Sequence, residues 1–366
     1  MGHPSKLIQV FILLFIFICF IHDSESSIII HDAAFSPDGK MIGVGTDVDF
    51  QILDQASKNL IYSFPVPAGV KFLKWAPDSQ QILLASWQEQ ETPSYSMLDI
   101  QQNRILFSFQ EEIRWFYTFI TGYDYYSGDG EPFLSINEKT LPVSTELGHP
   151  NGLTFSPDSS ELAYITNEGL IRFRNTENGT IIREFLLESY QATSLGYTSD
   201  GEKLWVGIRF DTIAEFSDDT RILYLDSQNG DILEMRQILY KKQNNTTSGN
   251  SIFLIYEVRP DQKYALAVTS VNNVTMEFWP TVSLYMVDLI KGETAIEIAG
   301  ASLSKVPIHR AFFSDSGAAY GLEDVNGGWD TTKYDEISGF SQVIANDNIP
   351  YHPVPAHPFA PDGSQF

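Results

Sequence analysis

His149-Pro150-Asn151-Gly152-Leu153-Thr154-Phe155-Ser156-Pro157-Asp158 reads as a short apolar strand running into a tight turn. Proline fixes φ for the turn, and a short polar side chain after it bonds the local backbone. The core of the stretch, aromatic-Ser-Pro-Asp, recurs along the chain. It appears as Phe35-Ser36-Pro37-Asp38-Gly39, Trp75-Ala76-Pro77-Asp78, Tyr197-Thr198-Ser199-Asp200, Val258-Arg259-Pro260-Asp261 and Phe313-Ser314-Asp315-Ser316-Gly317. A last copy is Phe359-Ala360-Pro361-Asp362-Gly363, with almost nothing after it. Asp38 and Asp78 lie 40 residues apart, Asp158 and Asp200 42, and Asp78 and Asp158 80. The double step implies a worn copy, placed at Phe119-Ile120-Thr121-Gly122.

Around each turn the pattern is all-β. In the first unit an apolar stretch ends at Phe35, a second strand runs from Met41 to Thr46, a third ends at Ile52-Leu53-Asp54, and a fourth covers Leu60 to Phe64. The apolar-apolar-Asp end of the third strand is a second landmark. It returns at Met97-Leu98-Asp99, Tyr224-Leu225-Asp226 and Met286-Val287-Asp288, with a weaker version at Phe173-Arg174-Asn175, and is followed by turns such as Asn178-Gly179, Asn229-Gly230 and Lys291-Gly292. Four short antiparallel strands at a period near 40 residues are the signature of a β-propeller. The landmarks predict seven blades across residues 27–366, the last repeat incomplete, with 350–358 a Pro-rich connector.

The units resemble WD40 or YVTN-type propeller repeats, through the aromatic-Ser-Pro-Asp-Gly turn and the apolar-apolar-Asp strand end. No unit has the Trp-Asp dipeptide or an initial Gly-His, so the resemblance is to a divergent, WD40-like propeller. Pro150-Asn151-Gly152 through Asp158 also resembles a segment of the SMP-30/gluconolactonase family of metal-dependent lactonases. That resemblance implies Asn151 as a metal ligand at the centre of a six-bladed propeller. The Asp expected in the following unit, ahead of Leu204-Trp205-Val206, is missing from Ala192–Gly196.

The N-terminus has a separate message. Leu7 to Ile21 is an apolar run, preceded by Lys6 and followed by His22-Asp23-Ser24-Glu25-Ser26-Ser27. That three-part pattern is a secretory signal peptide over residues 1–26, cleaved near Ser26. The run is too short for a first reading as a membrane anchor, so no span is expected after cleavage. Four N-glycosylation sequons, at Asn178, Asn244, Asn245 and Asn273, fit the same route. The expected location is outside the cell or in the secretory lumen. Cys19, the only cysteine, falls in the signal, which leaves a mature chain without disulfides or thiol chemistry.

The 366 residues carry a net charge of −24. Nucleic acid needs a basic face, so it is excluded as a partner. No Gly-x-Ser-x-Gly elbow, His-x-x-x-His pair or phosphate-cradling Gly motif occurs. Asp124–Glu131 and Asp324–Asp330 group oxygen ligands with Gly, but without EF-hand spacing. Neither a cofactor nor a catalytic or metal site is assigned.

One constellation follows from aligning the repeats. Seven residues before each turn anchor stand His31, Lys71, Trp115, Asn151, Thr193, Leu254 and His309. These are the expected starts of the inner strands at one mouth of the central channel. The candidate binding residues are therefore His31, Lys71, Trp115, Asn151, Thr193 and His309. The expected function is a non-catalytic, monomeric scaffold binding a protein or small ligand. The alternatives are a lactonase-like metal hydrolase in the channel, or the propeller of a larger receptor or peptidase.

Overall fold

A computed structural model describes residues 30–87, 92–113, 125–126, 132–136, 139–142, 152–187, 190–209, 220–238, 250–271, 281–300, 308–313, 319–325, 328–334 and 341–347. All regular structure among them is β, as the alternating patterns require, and the fold is a β-propeller. The first sheet contains β1 (Ile30–Phe35), β2 (Met41–Thr46), β3 (Asp49–Asp54) and β4 (Leu60–Pro65). The second contains β5 (Phe72–Trp75), β6 (Gln81–Ser86), β7 (Ser94–Asp99) and β8 (Arg104–Gln110). A three-stranded third sheet follows, β9 (Tyr125–Tyr126), β10 (Pro132–Ile136) and β11 (Lys139–Pro142). The fourth holds β12 (Leu153–Phe155), β13 (Glu161–Ile165), β14 (Leu170–Asn175) and β15 (Ile181–Leu186). The fifth holds β16 (Gln191–Tyr197), β17 (Lys203–Arg209), β18 (Thr220–Asp226) and β19 (Ile232–Ile238). The sixth is β20 (Asn250–Val258), β21 (Tyr264–Val271), β22 (Thr281–Asp288) and β23 (Glu293–Gly300). The seventh is β24 (Ile308–Phe313), β25 (Ala319–Val325), β26 (Gly328–Tyr334) and β27 (Ser341–Asp347). Each four-stranded sheet is a meander in sequence order, its first strand innermost.

Both landmarks have a mechanical reason. In the first turn, Ser36 Oγ donates to Asp38 Oδ1 at 2.7 Å and accepts from Met41 N–H at 2.9 Å. Ser156 and Asp158 repeat this at 2.6 Å, and Thr198 and Asp200 at 2.5 Å. The residue after each Asp is left-handed: Gly39, Ser79, Ser159, Gly201 and Gln262 have φ between 58° and 74°. At the other landmark the carboxylate caps the following turn. Asp226 Oδ1 accepts from the N–H groups of Gln228 and Asn229, and Asp288 Oδ1 from those of Ile290 and Lys291.

The hydrophobic core lies between sheets. One cluster joins the first and second through Phe50, Ile52, Val70, Leu73 and Trp75. Others join the fourth to the fifth and the fifth to the sixth. The seventh continues the series, with β24 beside β20.

The junction after the second sheet corrects the seven-blade expectation. The second sheet packs directly on the fourth: Phe72, Leu83, Tyr95 and Met97 share a core with Leu153, Phe155, Leu162 and Tyr164. Phe109 of β8 stacks on Tyr164 of β13, ring centroids 5.8 Å apart. Lys74 Nζ reaches the Leu153 carbonyl at 2.6 Å. Among the described residues, no sheet stands between them. The third sheet is therefore an element inserted in the connection, and the described blades number six, all four-stranded. The proposed worn turn, Phe119–Gly122, lies outside the described residues, as do the Pro-rich connector and the turn at Asp362.

The outer strands share a feature. Each four-stranded sheet has a β-bulge on its last strand, at Ile61, Leu106, Ile182, Leu233, Ala295 and Ile344 in turn. A bulged edge resists pairing with another strand, which protects the rim of a propeller from edge-to-edge association. The three-stranded sheet has no such bulge in its described pairings.

Candidate functional site

The innermost strands are irregular in the same place. A residue without a cross-strand partner falls between Ile30 and Asp32 in β1, between Ala192 and Ser194 in β16, between Ile252 and Leu254 in β20, and between Ile308 and Arg310 in β24. These are bulges, and the extra residues are His31, Thr193, Phe253 and His309. Lys71 occupies the corresponding place before β5, its N–H bonded to the Ala85 carbonyl opposite Phe72. A bulge re-aims a side chain out of the pleat, and such irregularities concentrate at functional sites. Four places in the aligned ring are thus bulges, one of them shifted by a residue. In β20 a second bulge at Tyr256 adds a residue before the turn, so Phe253 takes the place expected of Leu254.

The ring's members are not equivalent. His31 and Lys71 are half-buried and touch across the first and second sheets, with Lys71 Nζ 3.1 Å from His31 Nε2. That contact is a hydrogen bond when Nε2 is the unprotonated ring nitrogen. Thr193 is buried, and its hydroxyl donates to the Gly207 carbonyl at 3.1 Å. His309 holds its bulge position in β24. Trp115 and Asn151 lie outside the described residues, and so do the sequons at Asn244, Asn245 and Asn273.

Asp32, next to His31, was not singled out by sequence reasoning. It is fully buried. Its Oδ1 accepts from Ala33 N–H and its Oδ2 from Leu73 N–H, both at 2.9 Å. The carboxylate thereby ties the first inner strand to the second, and a buried anion requires such donors. The signal was an acid beside His31 in an inner strand whose other residues, Ile30 and Ala33–Phe35, are apolar.

The two ends of the inner strands differ. At the end where inner strands finish, the chain makes short turns such as Ser36–Lys40, Ala76–Gln80, Ser156–Ser160 and Thr198–Glu202. At the bulge end, connection lengths vary: Asp47-Val48 joins β2 to β3, whereas residues 210–219 join β17 to β18 and 272–280 join β21 to β22. The inserted third sheet enters and leaves at this end too, after β8 and before β12.

Charged groups elsewhere serve blade junctions. Glu111 accepts from Arg172 Nη1 at 2.5 Å and from the Tyr164 hydroxyl at 3.2 Å, drawing the second and fourth sheets together. Burial works against the charge of Arg172, but its bonds to Glu111 and Glu184 raise its pKa further. Burial pushes the Tyr164 hydroxyl up to about 12. Arg183 clasps both Glu161 oxygens, at 2.7 and 2.5 Å, and lies over Phe173. The Tyr197 hydroxyl donates to the same carboxylate at 3.0 Å, and burial and that charge both raise its pKa. These groups are partnered, at the sides of blades and away from the bulge ring. No group of three or more His, Cys, Asp or Glu among the described residues is placed to hold a metal. No helix among them is long and apolar enough to cross a membrane.

No protein-family model and no curated protein sequence matches the chain. Solved structures do match its fold. One is Kuenenia stuttgartiensis hydrazine synthase, with a TM-score of 0.57 and 15% sequence identity over 91% of this chain and 90% of that one. At that identity the likeness is one of fold, and β-propellers carry many unrelated functions.

Proposed function

We propose that the chain is an exported, glycosylated, WD40-like propeller that acts as a non-catalytic binding scaffold, with its docking surface at the bulge end. The observation that carries this reading is the row of inner-strand bulges, headed by the His31–Lys71 pair, at the end where connections vary in length. Uniform tight turns serve the fold, whereas loops of unequal length on a rigid frame are where binding specificity resides. Asp32 supports a structural rather than a metal-binding role for the first inner strand, since both its oxygens accept backbone N–H groups.

The test compares two variants of the tagged chain in capture from secretory medium. His31→Ala with Lys71→Ala alters the bulge end, and Lys58→Ala, in a turn between β3 and β4, alters the other. A partner lost with the first variant and kept with the second is the expected outcome. Loss with the second alone overturns the assignment of the face. Export is checked by the N-terminus of protein from the medium, expected near Ser27.

The lactonase-like alternative gains one observation, the six four-stranded sheets. Metal analysis decides it. Stoichiometric Ca²⁺ or Zn²⁺, removed by EDTA with loss of thermal stability, is what it requires.

A further inference from the structure

We propose that Asn178 carries an N-linked glycan that lies over the exposed aliphatic rim at the junction of the second and fourth sheets. The proposal rests on the exported reading above. Its other supports are geometric.

Asn178 and Thr180 are exposed, in the turn between β14 and β15. Asn178 Oδ1 accepts from the Thr180 N–H at 2.9 Å and from its hydroxyl at 2.7 Å. The acceptor triplet is thus closed on itself through oxygen. The Nδ2 amide, the atom that takes the sugar, makes no hydrogen bond among the described residues. Gly179 fixes the direction of the turn. Its φ is +73°, and a Cβ there would stand 2.5 Å from the Phe107 ring of β8. The turn is therefore pinned against the outer strand of the second sheet. Ile105 of β8 and Ile181 and Ile182 of β15 are exposed beside it. A sugar chain on Nδ2 emerges where these two outer strands meet, and carbohydrate over aliphatic surface removes it from self-association.

The donor is a lipid-diphosphate-linked oligosaccharide. Nδ2 bonds to the anomeric carbon, the anomeric C–O bond to diphosphate breaks, and the lipid diphosphate leaves with the electron pair. One Nδ2 proton passes to a base of the transferase.

The fifth sheet supplies an internal control. Asn229-Gly230-Asp231 is the same turn, with Asn229 Oδ1 accepting from Asp231 N–H at 2.9 Å. Gly230 has φ +78° and packs on Phe185 as Gly179 packs on Phe107. Ile232 and Leu233 are exposed beside it. Only the third residue differs, Asp in place of Thr, so this turn is no acceptor.

The experiment uses the full chain secreted from a eukaryotic cell, with peptide masses read before and after endoglycosidase. The wild type is expected to carry a glycan on the Asn178 peptide. Thr180→Ala removes one glycan's mass, and Asp231→Thr adds one, on Asn229. Binding of a hydrophobic dye rises when the folded wild type is deglycosylated and falls in Asp231→Thr. A bare Asn178 in a chain glycosylated at its other sequons overturns the proposal and leaves export standing. A chain retained in the cell with every sequon bare overturns the export reading instead, and the proposal with it. Dye binding unmoved in both arms overturns the covering role.

Discussion

Between the first and second sheets the chain passes from Pro65 to Phe72 without a detour. Between the second and fourth it leaves at Ile113, forms β9–β11 and returns at Leu153. Yet Asp38 N–H donates to Ser79 Oγ across the first junction at 3.0 Å, and Asp78 N–H donates to Ser159 Oγ across the second at the same distance. The outer strand of the second sheet meets the Gly179 turn of the fourth just as Phe185 of the fourth meets the Gly230 turn of the fifth. Blade-to-blade geometry is therefore set by side-chain packing between sheets and by turn-to-turn bonds. Connection length has little say, because each doubling of a flexible loop adds only about 0.6 kcal/mol of closure entropy.

The largest expected effect breaks the second junction at its core. Phe155 is buried between Leu153, Leu162 and the second sheet. Phe155→Ala should lower unfolding free energy by about 3–5 kcal/mol in denaturant titration. Phe35, its half-buried counterpart in the first sheet, should lose less on the same change. A Phe155 loss below about 1 kcal/mol would show that the second and fourth sheets are not in contact.

A smaller effect separates close packing from backbone strain. Gly179→Ala meets both a left-handed φ and the Phe107 ring, whereas Gly169→Ala meets a φ of +84° with nothing within 4 Å of the new methyl. Left-handed strain alone is worth about 1–2 kcal/mol, and overpacking adds about 1–3. Gly179→Ala should therefore cost clearly more. Equal losses would mean that the turn of the fourth sheet does not rest on β8.

Much of this was legible because turns make demands on particular residues. Ser36, Asp38 and Asp54 are needed for hydroxyl and carboxylate bonds, and they fix the strand ends almost to the residue. The second strand expected at Met41–Thr46 is β2. Counting failed where spacing stood in for chemistry. The 80-residue interval from Asp78 to Asp158 suggests two repeats, although Phe119–Gly122 lacks the Pro and Asp that make the turn. The repeat spacing points to His31, Thr193 and His309 and, one residue off, to the bulge at Phe253, but it does not show that these are bulges. A bulge is a matter of pairing, and pairing with β2, β17, β21 or β25 leaves no mark in one strand's own sequence. Asp32 was missed because its partner, the Leu73 N–H, belongs to another blade.

Smaller still, Ser79→Ala and Ser159→Ala each remove one hydroxyl acceptor from a neighbour's backbone N–H. Each should cost about 1 kcal/mol. The two losses should agree, within about 0.5 kcal/mol, although one junction bridges an insertion and the other does not. A much smaller loss for Ser159 would show that the insertion loosens its junction.

The smallest effect comes from the turn carboxylates and depends on pH. Hydrogen bonds from Ser156 and the Ser160 backbone hold the Asp158 carboxyl below its ordinary value of 3.8, and bonds from Thr198 and the Glu202 backbone do the same for Asp200. For Asp38, burial acts in the opposite direction, but the bonds from Ser36 and Lys40 outweigh it. A carboxyl with a lower pKa folded than unfolded binds fewer protons in the native state. Its contribution is complete above the unfolded value and fades as pH falls through the folded one. Thermal stability should therefore hold from neutrality to about pH 5 and decline below about pH 4. Ser156→Ala removes the hydroxyl bond to Asp158, so its cost at pH 7 should shrink as the carboxyl protonates. The turns of the second and fourth sheets offer the contrast, since Ala76 stands where Ser156 does and gives Asp78 no such donor. A cost for Ser156→Ala that is the same at pH 3 and pH 7 would assign the serine's role to its bond with the Glu161 N–H, at 2.9 Å, rather than to the carboxylate.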